Sequence, residues 1–138
     1  MRKLVFLAAL IGASAPAAAE TESYTAILGG KAVGRVVADT QGDQVDIEYD
    51  VKNNGRGPTF AESLQLDARG LPAQWTITGT TTFGSKVDER FARKDGQASW
   101  QDSAGKGEAA APATLYVGQN ASPWALGLCA RALLADPD

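Results

Sequence analysis

The sequence predicts a mainly β fold: an antiparallel meander curled into a half-barrel, with an apolar helix at the C-terminus. A two-sheet sandwich is the alternative. Three observations predict this class. Short runs suited to a pleated surface recur from Tyr24 to Val117. The breaks between them are short and carry hairpin-type residues, so sequence neighbours become antiparallel neighbours. After Ser122-Pro123 the period-two pattern gives way to an almost unbroken apolar run.

Tyr24–Leu28 is the first predicted strand, closed by Gly29-Gly30. Val33–Asp39 is the second, closed by Gln41-Gly42-Asp43. The third is the clearest. Val45, Ile47, Tyr49 and Val51 alternate with Asp46, Glu48, Asp50 and Lys52, which gives one buried face and one wet face. Asn53-Asn54-Gly55-Arg56-Gly57-Pro58 then reverses the chain, because Asn-Gly accepts positive φ. Thr59–Asp67 and the Trp75-containing run Gln74–Thr82 follow. Val87–Arg93 and Gln97–Asp102 flank Lys94-Asp95-Gly96, a tight hairpin signal, and Trp100 should face inward. Ser103–Ala111 reads as a loop or flexible edge, and Ala113–Val117 as a last strand. Residues 20–117 therefore make the β domain and 118–138 the helical end.

That end begins with Ser122 as N-cap and Pro123 at the first helical position. From Trp124 to Ala135 the one charged residue is Arg131. A surface helix on a small domain needs a polar face, and this one has almost none. It should be covered on both sides, by the sheet and by something else. The predicted interface residues are Trp124, Leu126, Leu128, Leu133 and Leu134. The chain stops three residues after the helix, so the expected cover is an absent partner or the rest of a longer protein. Cys129 lies among apolar neighbours and reads as a small buried residue rather than an intermolecular disulfide.

Met1–Ala19 has a basic start at Arg2 and Lys3, an apolar stretch, and small residues up to Ala17-Ala18-Ala19. This is the order of a cleaved signal peptide and predicts a periplasmic or secreted protein. Without Arg2 and Lys3, 11 basic residues face 16 acidic ones, a net charge of −5. That argues against nucleic acid or an anionic membrane as partner. No later apolar run approaches the roughly 20 residues of a membrane helix.

The 138 residues include no histidine. Serine triads, His-ligated zinc and His general bases are therefore excluded within this chain. Other chemistry-bearing patterns have plainer readings. Ser103-Ala-Gly-Lys106 has Ser-x-x-Lys spacing but sits among glycines without companion motifs. Asp46, Glu48 and Asp50 share one strand face, where solvation is the ordinary role and calcium binding would need a wrapping loop. Asp88 and Glu89 are adjacent, point to opposite faces, and so make no acid–base pair. One of them is expected to pair with Arg56 or Lys86. Gly29-Gly30-Lys31 lacks the spacing of a phosphate loop. Asn120-Ala-Ser122 fits a glycosylation sequon, but Ser122 is better used as a cap. Trp75, Trp100 and Trp124 have core packing as their default.

Four blocks carry a family resemblance: Asn53–Thr59, Gly70-Leu71-Pro72, Trp75–Glu89 and Ala121–Gly127. In this order after a signal peptide, they resemble the N-terminal region of secreted bacterial metal-dependent amidohydrolases of the imidazolonepropionase-like or Xaa-Pro-dipeptidase-like group. The resemblance covers most of residues 20–138. It implies an accessory β domain preceding a (β/α)-barrel that cleaves amide bonds with metals held by histidines and an aspartate. Without histidine, no catalytic or metal-binding residue carries over, so no cofactor is expected in this chain and a divalent metal only in the absent barrel. The expected function is an N-terminal accessory segment, inactive alone, whose partner is the missing catalytic domain or a second copy through the helix. The alternative is a stand-alone periplasmic carrier whose curled sheet holds an apolar ligand, or an interaction module.

Overall fold

Left-handed turn residues set the strand spacing. Gly29 and Gly30 have φ of 57° and 75°, Asn54 and Gly55 of 51° and 76°, Asp95 and Gly96 of 52° and 74°. Each pair reverses the chain in two residues without strain on a β-branched side chain. The computed structural model describes residues 18–110 and 115–135. The predicted signal peptide therefore lies almost wholly outside the described residues.

The strands are β1 (Glu20–Leu28), β2 (Lys31–Gln41), β3 (Gln44–Val51), β4 (Thr59–Leu66), β5 (Pro72–Thr80), β6 (Lys86–Lys94), β7 (Gln97–Asp102) and β8 (Gly105–Ala110). They form one antiparallel sheet in sequence order, with β1 and β8 at its edges. The sheet is a meander that does not close into a barrel, and the sandwich alternative falls because all eight described strands lie in one sheet. Helix α1 (Pro123–Ala135) follows.

Two expectations need correction. Residues predicted as a loop after Ser103 form β8, which pairs with β7 from Gln97↔Ala110 to Asp102↔Gly105. Of the predicted last strand Ala113–Val117, residues 115–117 are not strand, and 113–114 lie outside the described residues. Tyr116 turns into the core instead. Its ring stacks on Phe91 at 4.3 Å and meets Trp75 edge-on at 6.0 Å. Burying an aromatic ring in this way outweighs the ladder bonds of one short edge strand.

Register sorts the side chains into two faces. On the inner face, Val45, Leu64, Trp75, Phe91, Trp100 and Gly107 lie in one row across the strands. Tyr49, Phe60, Gly79 and Val87 form another. Most of these side chains are buried, and the chain from Leu115 through α1 lies over them. The outer face carries Asp46, Glu48, Asp50, Thr76 and Thr78, all exposed.

Glycines permit two close approaches. A Cβ on Gly107 would stand 2.4 Å from Trp100 Cζ2, so the indole lies directly over the β8 backbone. A Cβ on Gly79 would stand 2.0 Å from the Thr59 carbonyl oxygen of the neighbouring strand.

The β4–β5 turn is held by Asp67. Its Oδ1 accepts from Arg69 N and Leu71 N, both at 2.9 Å, and its Oδ2 accepts from Arg93 Nη2 at 2.7 Å. Burial pushes the Asp67 carboxyl up, but the Arg93 guanidinium and the two N–H groups outweigh it and hold it below its ordinary value. A lowered carboxyl contributes stability above the unfolded pKa and loses it as pH falls through the folded one. Asp67→Ala should therefore cost about 1–2 kcal/mol at pH 7. It should also make urea stability less sensitive to acid; an unchanged acid dependence would count against this account.

Candidate functional site

The inner face places acids where the alternation calls for apolar residues. Glu22, Ala38, Ile47, Glu62, Ile77 and Glu89 fall in one row across β1 to β6. Glu62 and Glu89 are 3% and 2% exposed. A buried carboxylate needs donors, and all three glutamates find them in the chain that crosses the row.

That crossing segment runs from Gln119 to Trp124. Glu89 Oε2 accepts from Gln119 N at 2.9 Å and Asn120 N at 3.4 Å, while Oε1 accepts from Asn120 Nδ2. Glu62 Oε1 accepts from Ser122 N at 2.6 Å, and Oε2 from Trp75 Nε1 at 3.0 Å. Glu22 Oε2 accepts from Trp124 Nε1 at 2.6 Å. The segment thus descends from β6 over β4 to β1, fixed at each stage by a glutamate. Gly118 precedes it, where a Cβ would stand 2.6 Å from Ile77 Cδ1. A side chain there would force the tip of Ile77 to shift, and glycine avoids this where the strap crosses close to the sheet.

The electrostatics follow from burial and donors. Burial pushes the Glu62 carboxyl up, against the lowering effect of the Ser122 and Trp75 donors. The Trp124 indole N–H and the Tyr24 hydroxyl hold Glu22 below its ordinary value. Burial and the Glu89 and Asp102 charges push the Tyr116 phenol up. Burial also raises the Cys129 thiol, so the buried cysteine is not a poised nucleophile.

Glu62 and Glu89 are two strands apart, about 10 Å by sheet spacing. A hydrolytic pair of carboxylates needs room for substrate between them. Here the space is occupied by the strap, and each acid accepts protein donors at both oxygens. The arrangement is a clamp on the chain's own C-terminal segment.

Helix α1 continues from the clamp. Ser122 is its N-cap: Oγ accepts from Ala125 N at 3.4 Å, and Leu126 N donates to the Ser122 carbonyl at 3.1 Å. Trp124, Ala125, Leu128 and Cys129 are buried on the sheet side. Arg131 lies over the Trp124 ring, 5.3 Å from its centroid. Leu126, Leu133 and Leu134 point away from the sheet and are 51%, 67% and 83% exposed. Of the five predicted interface residues, two are in the chain's own core and three form an outward apolar stripe.

No protein-family model, curated protein or solved structure matches the chain.

The remaining candidates have local roles. Ser103 Oγ donates to Gln119 Oε1 at 2.8 Å, and Lys106 stands exposed on β8, so they form no nucleophile–base pair. Asp46 Oδ1 accepts from Ser63 Oγ at 2.7 Å and Gln44 Nε2 at 3.0 Å. Asp50 Oδ1 pairs with Lys52 Nζ at 2.8 Å and accepts from Thr59 Oγ1 at 3.1 Å. Asp88 does not pair with Arg56 or Lys86. It pairs with Arg90 at 3.1 Å, since residues two apart on one strand share a face. Asn120 is engaged by Glu89 and Ser122 is buried, so the sequon serves as a structural corner. Among the described residues no group of three or more His, Cys, Asp or Glu side chains could hold a metal ion. No described helix is long and apolar enough to cross a membrane.

The glutamate clamp was missed by sequence reasoning although its signal was present. Glu62 lies in phase with Phe60 and Leu64, and Glu89 in phase with Val87 and Phe91. Period-two counting puts both acids indoors.

Proposed function

We propose that the chain is a non-catalytic accessory segment of a secreted amidohydrolase, with the outward stripe of α1 docking on the catalytic barrel. The observation that carries this reading is the two-sided helix. One face is seated on the sheet through Trp124 and Leu128, while Leu126, Leu133 and Leu134 present a second apolar face to solvent. Large exposed apolar stripes mark interaction surfaces. The amidohydrolase part of the reading comes from the four sequence blocks, and the absence of histidine makes the segment dependent on another domain for chemistry. The carrier alternative gains less support, because Tyr116, Trp124, Ala125 and Leu128 fill the inner face where a ligand would sit.

Three measurements test it. The purified chain should hydrolyse none of a panel of N-acyl amino acids and prolyl dipeptides with added zinc; metal-dependent turnover overturns the reading. The triple variant Leu126→Ser, Leu133→Ser, Leu134→Ser should lose binding of an apolar dye and keep the far-UV circular dichroism of the parent. Each exposed leucine loses up to about 1.5–3 kcal/mol of available burial. A parent that binds no dye, or a variant that unfolds, makes the stripe ordinary structure. The reading frame beyond the Asp138 codon tests the family: a following His-x-His supports it and a stop codon overturns it.

A further inference from the structure

The two edges of the sheet differ in how they meet solvent. At one edge, β8 is six residues long, contains Gly105 and Gly107, and exposes Lys106 and Glu108. Short length, glycine and charge all discourage another strand from adding. At the other edge, β1 is nine residues long and contains no Gly, Pro, Lys or Arg. It exposes Tyr24, Ile27 and Leu28 at 53%, 68% and 56%. The irregularity opposite Ala26 and Ile27 takes its extra residue, Val33, from β2. β1 itself therefore runs unbroken. Among the described residues its outer edge has no partner strand.

We infer that β1 is a self-association edge, where two copies of the chain pair antiparallel about a two-fold axis and extend the sheet. The charge distribution along β1 selects the occupant and the direction. Its two acids, Glu20 and Glu22, lie in the first three residues, and the remaining six are uncharged. In an antiparallel self-pair centred near Tyr24, Glu20 lies opposite Leu28 of the second copy and Glu22 opposite Ala26. A parallel self-pair would place each glutamate against itself, which is destabilising for charges directly opposite. A strand edge is self-complementary in its N–H and C=O groups, as a two-fold interface requires. The exposed side chains add burial on both faces: by alternation Tyr24 and Leu28 project on the inner side and Ile27 on the outer.

The β1 edge and the leucine stripe of α1 are made of different residues, so each can be varied without changing the other. The purified chain is examined by sedimentation velocity over a wide concentration range. A monomer–dimer equilibrium is expected. Ile27→Lys should weaken the dimer at least about tenfold, because an edge lysine opposes strand addition. Phe83→Lys changes a more exposed apolar residue in the β5–β6 turn, 88% exposed, and should leave the dimer unchanged. The triple α1 leucine variant should also leave it unchanged. Tyr24→Cys should form an intermolecular disulfide under mild oxidation, since near a two-fold axis the two Cα atoms fall within disulfide range. A monomer at all concentrations overturns the proposal. So does a dimer that survives Ile27→Lys, or one that is lost with the α1 variant but kept with Ile27→Lys.

Discussion

Glu62→Ala is expected to destabilise the protein by about 3–5 kcal/mol, read as a lowered urea midpoint at pH 7. The substitution leaves two buried donors without an acceptor, Trp75 Nε1 and Ser122 N. Trp75 and Ser122 are 1% and 0% exposed, so water does not replace the carboxylate unless the strap lifts. Each orphaned buried donor costs about 1–3 kcal/mol, and the missing side chain leaves a void as well. Glu62→Gln keeps the volume and one acceptor oxygen but turns an amide N–H₂ toward one of the donors, so it should cost about 1–3 kcal/mol. The pair of variants also separates the effect of charge. Burial raises the folded pKa of Glu62 above its unfolded value, so the folded state holds the proton more tightly. The stability tied to that proton is fully present below the unfolded pKa and is lost as pH rises through the raised folded pKa. The stability gap between the parent and Glu62→Gln should therefore widen toward acid, in the parent's favour. A gap that stays constant from pH 4 to pH 8, or a cost of Glu62→Ala below about 1 kcal/mol, would refute the clamp.

Gly79→Ala should cost about 3 kcal/mol or more, with the same loss in any folded readout. The added Cβ would stand 2.0 Å from the Thr59 carbonyl oxygen and 3.0 Å from Phe60 Cα. Both are backbone atoms of the paired strand, so no rotamer change relieves the contact. The residue also has φ of 142°, which L side chains rarely adopt. Gly107→Ala is the useful contrast, because its close neighbour is the Trp100 side chain, which can turn aside. It should cost less and should shift tryptophan fluorescence. Equal costs for the two variants would show that the close backbone approach at Gly79 is not what sets its cost.

What the sequence disclosed depended on how each residue signals its environment. β3 was legible because Val45, Ile47 and Tyr49 alternate with acids that stay outside. α1 was legible because its cap and proline sit at a change of period. β8 was not, because Gly-Lys-Gly-Glu-Ala-Ala carries no apolar alternation and owes its strand to the ladder with β7. Tyr116 reads as strand from its own preference, whereas Phe91 and Trp75 lie close enough to pack against its ring. The inward glutamates were hidden by chemistry: an acid in a strand is ordinarily solvated, and their donors come from residues far along the chain. The sequence marks all five apolar residues of α1 alike, and the split that sends Trp124 and Leu128 inward and leaves Leu126, Leu133 and Leu134 exposed depends on which way the helix leaves Ser122.

The glutamate row also orders events in time. The bonds that the strap makes to Glu89, Glu62 and Glu22 join residues 30, 60 and 102 positions apart. Every acceptor is synthesised before its donor. Until residues 119–124 arrive, the meander holds inward carboxylates with no strap to receive them, beside the uncovered rings of Trp75 and Phe91. Hairpins between sequence neighbours can form early, yet the inner face is covered only when residues 119–124 have crossed it. A chain delivered from its N-terminus therefore keeps this sheet uncovered until residues 119–124 have emerged and crossed it.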